Sequence, residues 1–397
     1  MMSLLKSKIQ QLAKHSLPEI IQLRRYLHAH PELSFEEYET SKYIAAYLTS
    51  LGIRFETGIV KTGIVAIIEG KNPHKKVVAL RADMDALPIL ESNQVTYKSQ
   101  NEGVMHACGH DVHSASLLGV AKLLNELRNE FEGTVKLIFQ PGEEKLPGGA
   151  SLMIKEGVLE NPKPNSMFGQ HVFPSMEVGK VGFRSGMYMA STDELYLTIK
   201  GKGGHAAMPA DYINPLLIAS EVLLALNKEF MHKENSTPTV LAFGKITGNG
   251  ATNVIPDEVH IEGTFRTMNE AWRAEAHAKM QQIATEVAQQ HKGDCVFRIE
   301  LGYPFLVNDD AVTTRARIAA EDFLGIENVE ELPMRMTAED FAFFSQQIPS
   351  CFYRLGTGNK AKGITSGVHT STFDIDESAL ETGVGLMTWL TLNELNA

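Results

Sequence analysis

A change of hydrophobic rhythm near Gly186, reversed near residue 303, constrains the fold more than any other feature of this sequence. Before it, helical spacing alternates with short apolar runs. Residues 17–29 and 36–51 carry the 3.6-residue spacing of helices, closed by Pro31 and Gly52. Strand-like runs follow at 63–68 and 77–82, then a helix over 112–127 and buried strands at 134–140 and 166–171. This alternation predicts an α/β sheet with helices on both faces, whose sites form beyond the carboxyl ends of the strands. After Gly186 the pattern differs: Leu195, Leu197 and Ile199 alternate with polar residues over 192–200, as in a half-buried strand. A helix at 214–231, strands at 238–247 and 257–267, a helix at 269–290 and a strand at 294–302 follow. The order β-α-β-β-α-β is that of a ferredoxin-like α+β unit. The first texture then returns, ending in a helix at 376–395. The expectation is one domain, residues 1–186 with 303–397, interrupted by another at 187–302.

Composition removes several function classes. The net charge of −11 repels phosphate backbones and anionic lipid, so neither nucleic acid nor a membrane is an expected partner. Cys108, Cys295 and Cys351 are far apart and odd in number, which suits a reducing cytosol and not a disulfide framework. Residues 1–15 contain no apolar signal core and no apolar run approaches a membrane span, so a cytoplasmic location is expected. Asn235-Ser236-Thr237 matches a glycosylation acceptor and is read as a surface loop.

The densest chemistry lies in Met105-His106-Ala107-Cys108-Gly109-His110-Asp111-Val112-His113. Sulfur and imidazole donors suit a borderline-soft divalent ion. Cys108 and His110 can converge only in a loop or a first helical turn, which Gly109 permits, with Asp111 as a natural N-cap. Gln140-Pro141-Gly142-Glu143-Glu144 follows a buried strand, where Pro and Gly place two carboxylates at its carboxyl end. Neighbouring side chains diverge, so one can bind metal while the other serves as a general base. His171 ends the next strand, and His369 lies far downstream; either alone is an ordinary polar residue. Asp83 and Asp85, in the segment 81–88, put acids near the same crevice, where such groups orient metal ligands. Gly201-Lys202-Gly203-Gly204-His205 presents one histidine on a glycine-rich turn that matches no P-loop or dinucleotide fingerprint, and no HExxH helix is present. Asn253 and Arg266 flank a strand of the same unit. A guanidinium fork fits a carboxylate, although locally a turn Asn and a surface Arg describe them as well.

Taken together, the segment Leu27-His28-Ala29-His30-Pro31-Glu32 and those at 81–88, 105–113, 140–144, 201–207, 252–257 and 263–267, with the His369 segment, resemble the M20 metallopeptidase family in order and content. Within it they resemble the amidohydrolase branch of aminoacylase, hippurate hydrolase and auxin-conjugate hydrolase type. The resemblance implies a zinc-peptidase-like catalytic domain interrupted by a dimerisation lid. It implies two divalent ions per subunit (Mn, Zn, Co or Ni) held by Cys108, His110, Glu144, His171 and His369, with Cys108 bridging as thiolate. Glu143 would be the general base, with Asp85 beside the site. His205 would reach into the partner subunit's active site of a homodimer, a tetramer being the alternative, and stabilise the oxyanion. Asn253 and Arg266 would hold the carboxylate of a small N-acyl-amino acid or dipeptide. Where relatives often carry His and then Asp-Pro after Met208-Pro209, this chain has Ala210 and Asn214-Pro215, which leaves the metal site untouched and weakens any transfer of substrate preference. Three alternatives stand beside the amidohydrolase: a dipeptidase or aminopeptidase of the same family, a cysteine hydrolase pairing Cys108 with His110 or His113, and a catalytically silent ligand-binding dimer.

Overall fold

The computed structural model describes residues 2–231 and 237–397, so Asn235 and Ser236 of the acceptor pattern lie outside the described residues. The chain divides into two compact units, Met1–Tyr188 with Val307–Pro333 and Asp340–Ala397, and Met189–Leu306 with Met334–Glu339.

The larger unit is built on an eight-stranded mixed sheet. Its order is Arg54–Ile59, Gly63–Glu69, Thr134–Gln140, Val77–Asp83, Ser166–Glu177, Ser350–Gly358, Val181–Phe183 and Val329–Glu331. The four strands from Thr134–Gln140 to Ser350–Gly358 run parallel to one another, and they are buried apolar runs because helices cover both faces. Ile64, Ala66, Val78, Leu80, Val135 and Leu137 enter one core with the helices Met2–Ala29, His110–Glu126 and Ala379–Asn396. Intervening residues such as Val65, Ala79 and Ile138 face the other way, as the two-residue pleat requires. The short helices Gly149–Lys155 and Ala342–Ser345 pack against the strands Thr134–Gln140 and Ser350–Gly358.

Register decides what meets at the carboxyl edge. Asp83 lies opposite Gln140 and Arg81 opposite Gly169, so His171 is level with Asp83 and Glu143 follows within one turn. Two local expectations change. The first helix begins at Met2 and runs through Pro18, because Ile9 and Ala13 bury against the same core as Ile20 and Leu23, and that packing outweighs the lost hydrogen bond. Arg54–Ile59, a mostly exposed edge strand, has too little alternation to be read from sequence.

The smaller unit has the four-stranded order Thr239–Thr247, Glu258–Thr267, Asp193–Lys200 and Asp294–Leu301, antiparallel throughout. The helices Pro215–Met231 and Glu270–Gln290 pack on each other and close its core through Ile218, Val222, Ala276 and Met280. Asn269 caps the second helix by accepting from the Trp272 N–H at 2.9 Å. Among the described residues, no helix is long and apolar enough to cross a membrane.

Candidate metal centre

Gly109 ends the loop before the His110–Glu126 helix with φ +82, a conformation open to glycine at little cost, and this turn brings Cys108 back beside His110. A Cβ at Gly109 would meet the Val172 side chain at 2.6 Å. Gly109, not Asp111, is the N-cap residue. Asp111 is drawn inward, where its carboxylate accepts from Arg24 Nε at 2.8 Å and lies 2.8 Å from His28 Nδ1.

His110 and His171 each have one ring nitrogen committed. His110 Nδ1 lies 3.1 Å from Asp85 Oδ1, while its buried Nε2 has no hydrogen-bond partner. His171 Nδ1 donates to the Val172 carbonyl at 2.8 Å, which turns Nε2 toward Cys108 Sγ at 3.5 Å. His369, exposed and held at φ +62, has its backbone N–H on the Ala107 carbonyl at 2.7 Å, and its Nε2 lies 3.1 Å from Glu144 Oε1. That Glu144 oxygen is buried and has no partner in hydrogen-bond geometry. The side chains of Cys108, His110 and His171 come within 4.8 Å of one another, as do those of Cys108, Glu144 and His369, and those of His110, Glu143 and Glu144. The five expected ligands are therefore brought together in the larger unit. Sulfur, nitrogen and carboxylate donors with open valence fit divalent ions of the zinc and manganese kind.

A second triplet, Asp83, His110 and His113, is also close enough for a metal. Of its two histidines, His113 is already spent: its Nδ1 lies 2.6 Å from Asp83 Oδ1, and its Nε2 accepts from the Val172 N–H at 2.9 Å. Asp83 and His113 instead brace the strand that presents His171. Arg81 reinforces this from behind, donating to Asp83 Oδ2 at 2.6 Å, Gln140 Oε1 at 2.8 Å and Asp340 Oδ1 at 2.8 Å. Asp85 does the same on the other side, accepting from Ser34 Oγ at 2.6 Å and the Glu144 N–H at 2.9 Å. Glu143 Oε1 accepts from the Asp340 N–H at 3.3 Å.

The electrostatics are those of a cation site. Burial works against a charged His110, yet Asp83, Asp85 and Glu144 hold its imidazolium up to about 10. Burial and then Arg354 push His171 well down, leaving a neutral ligand. Burial also opposes ionisation of Asp83, but Arg81, His110 and His113 hold its carboxyl well below the usual range. Burial and the carboxylates of Glu144, Glu143 and Asp83 push the Cys108 thiol far up. Such surroundings oppose a free thiolate nucleophile, whereas a cation would discharge the excess negative field.

The other expected residues lie in the smaller unit. Gly204–His205 pairs antiparallel with Val254–Ile255, and the Ala206 N–H donates to the Asn253 carbonyl at 3.1 Å, so His205 and Asn253 share one exposed turn. His205 Nδ1 accepts from the Ala207 N–H at 3.1 Å, which places the ring proton on Nε2. Arg266 is half-buried and donates to the Met336 carbonyl at 3.1 Å. Arg81 lay inside a segment singled out in the sequence, without a role, and His113 was read only as a possible partner of a Cys108 nucleophile. Asp340 carried no local signal.

Comparison with known proteins agrees in extent and kind. The family described as Peptidase family M20/M25/M40 matches residues 79–393. IAA-amino acid hydrolase ILR1-like 4 of Arabidopsis thaliana is 39% identical over 392 residues, covering 97% of this chain and 88% of that protein. N-acetylcysteine deacetylase of Bacillus subtilis is 37% identical over 367 residues, covering 91% and 93%. Among solved structures, the Bacillus subtilis YXEP protein, described as a dinuclear metal binding peptidase from the M20 family, superposes with a TM-score of 0.84 at 33% identity, covering 97% and 99%.

Proposed function

The chain belongs to peptidase family M20/M25/M40 and is a hydrolase of that family, and from that premise we propose that it hydrolyses the amide bond of small N-acyl-L-amino acids. The observation that carries this reading is the convergence of Cys108, His110, Glu144, His171 and His369, with the buried His110 Nε2 left unpartnered and Glu144 Oε1 facing His369 Nε2 at 3.1 Å, beside the buried carboxylate of Glu143. These five side chains would hold two divalent ions. When bound, the ions polarise the scissile carbonyl and bring the pKa of the attacking water toward about 7. Glu143 accepts the water's proton and returns it to the leaving nitrogen. Asp85 keeps His110 in the tautomer that leaves Nε2 for metal.

His205 supplies the oxyanion donor from the neighbouring subunit, and Asn253 and Arg266 hold the substrate carboxylate. The tautomer of His205 supports this, since its Nε2–H is the free donor. The smaller unit is the dimerisation lid. Leu217, Leu224 and Met231, seven residues apart along one helix, are 63%, 69% and 40% exposed, and Thr239–Thr247 is an edge strand of its sheet. The three buried, unpaired cysteines suit the cytoplasm. An N-acyl substrate is favoured over a dipeptide because the deacetylase relative is named for N-acetylcysteine.

The test is amide hydrolysis by chelator-stripped protein, with and without Mn²⁺ or Zn²⁺, across N-acetyl, N-benzoyl and dipeptide substrates. Metal-restored cleavage of the N-acyl compounds is expected. Preference for dipeptides would move the assignment to a dipeptidase, and tight ligand binding without turnover would make the protein a silent binder.

A further inference from the structure

Glu37 is a fully buried carboxylate that the reading above does not use. It occupies the N-cap position of the Tyr38–Ser50 helix, yet its side chain makes no capping bond there. Its oxygens are engaged elsewhere. Oε1 accepts from the Phe35 N–H at 2.8 Å and the Gly142 N–H at 2.9 Å, and Oε2 accepts from Thr62 Oγ1 at 2.7 Å. Gly142 is the residue before Glu143. The residue after it, Glu144, gives its N–H to Asp85, which also takes the hydroxyl of Ser34. The two amides that flank Glu143 are thus each gripped by a buried carboxylate, and residues 34–37 serve both.

Local geometry shows how close this fit is. Gly142 has φ +63, and a Cβ there would meet the Phe35 ring at 2.4 Å. Phe35 itself stands at φ +68, costly for a residue with a side chain, and the Glu37 bond to its N–H holds it there. A second cost is electrostatic: burial, and then the neighbouring Asp85, push the Glu37 carboxyl up to about 7. An apolar residue would avoid that cost but could not accept the Gly142 N–H.

We propose that Glu37 is a positioning residue for the general base, acting as the hydrogen-bond acceptor that fixes the Gly142 amide and through it the carboxylate of Glu143. The inference rests on the reading of Glu143 as base. It also separates two ways in which Glu37 could act. As an acceptor of given reach, it is replaceable by Gln, whose amide oxygen keeps both N–H bonds while its NH₂ donates to Thr62. As a charge, it is replaceable by Asp, which is shorter by one methylene.

Glu37→Gln and Glu37→Asp are made in the full chain, reconstituted with Mn²⁺ and assayed on the best-cleaved N-acyl-amino acid of the panel. Metal content is measured and crystal structures are determined for both. The expected result is that Gln keeps the Gly142 contact and keeps kcat within about threefold of the parent. Asp loses the contact and falls roughly 30- to 100-fold in kcat with little change in KM, as misplacing a catalytic group does. Both variants bind as much metal as the parent. An undisturbed 141–144 turn in the Asp variant, the reverse order of activities, or metal loss in parallel with activity overturns the proposal. Glu143→Gln, assayed alongside, separates the two claims: activity there refutes the base, whereas an inactive Glu143→Gln with a fully active Glu37→Asp refutes only Glu37.

Discussion

Around Cys108 the buried imidazoles of His110 and His171 are fixed from behind, His110 by Asp85 and His171 by the carbonyl of Val172. His205 and Asn253 stand exposed on a two-strand turn positioned by backbone hydrogen bonds. On the proposed reading the contrast separates two tasks. Groups that share a cation must hold their lone pairs in one geometry before the ion arrives, and burial among opposed charges does that. Groups that recognise a substrate tolerate exposure, because the ligand itself completes their surroundings.

The largest effect belongs to Glu143→Ala, expected to lower kcat by roughly 10²- to 10⁴-fold while the metal content stays at the parent level. Substantial turnover in that variant would move the base elsewhere. Next comes His205→Ala, expected to cost roughly 10²- to 10³-fold in kcat with an unchanged melting temperature, because an exposed side chain supports no core. A fall in melting temperature would show that the turn is as deeply built as the metal centre. Asp83→Asn is expected to weaken metal binding by roughly 10- to 100-fold, read by competition with a chelator, because it loosens His113 and the strand behind His171. Unchanged affinity would show that this bracing is redundant.

The smallest effect tests the frame behind the site. His28 is buried between Asp111 and Glu91; burial and Arg24 act to lower its pKa, and the two carboxylates outweigh them and raise it. A histidine raised above its unfolded value of about 6.5 contributes its full stability below that pH and loses it as pH rises through the native value. The melting-temperature gap between the parent and His28→Asn should therefore be wider at pH 6 than at pH 9. A constant gap would mean that the ring is neutral in the native protein.

The legibility of the molecule follows the same division. Cys108, His110, Glu143 and Glu144 could be read because Gly109, Pro141 and Gly142 mark local turns at the ends of helix-like and strand-like runs. Roles that depend on distant chain could not. Asp111 looked like a cap until Arg24, 87 residues away, claimed it. Asp340 reaches Glu143 across 197 residues, and Glu37 reaches Gly142 across 105, neither with any periodic signal. The 334–339 segment joins the smaller unit through a bridge between Met189 and Arg335, a pairing no local pattern encodes.

The central claim, that five converging side chains hold two ions, is tested most directly by anomalous diffraction from crystals of the Mn²⁺- or Zn²⁺-reconstituted protein. Two peaks are expected within the cluster of Cys108, His110, Glu144, His171 and His369. A single peak, or one centred on Asp83 and His113, would contradict the claim.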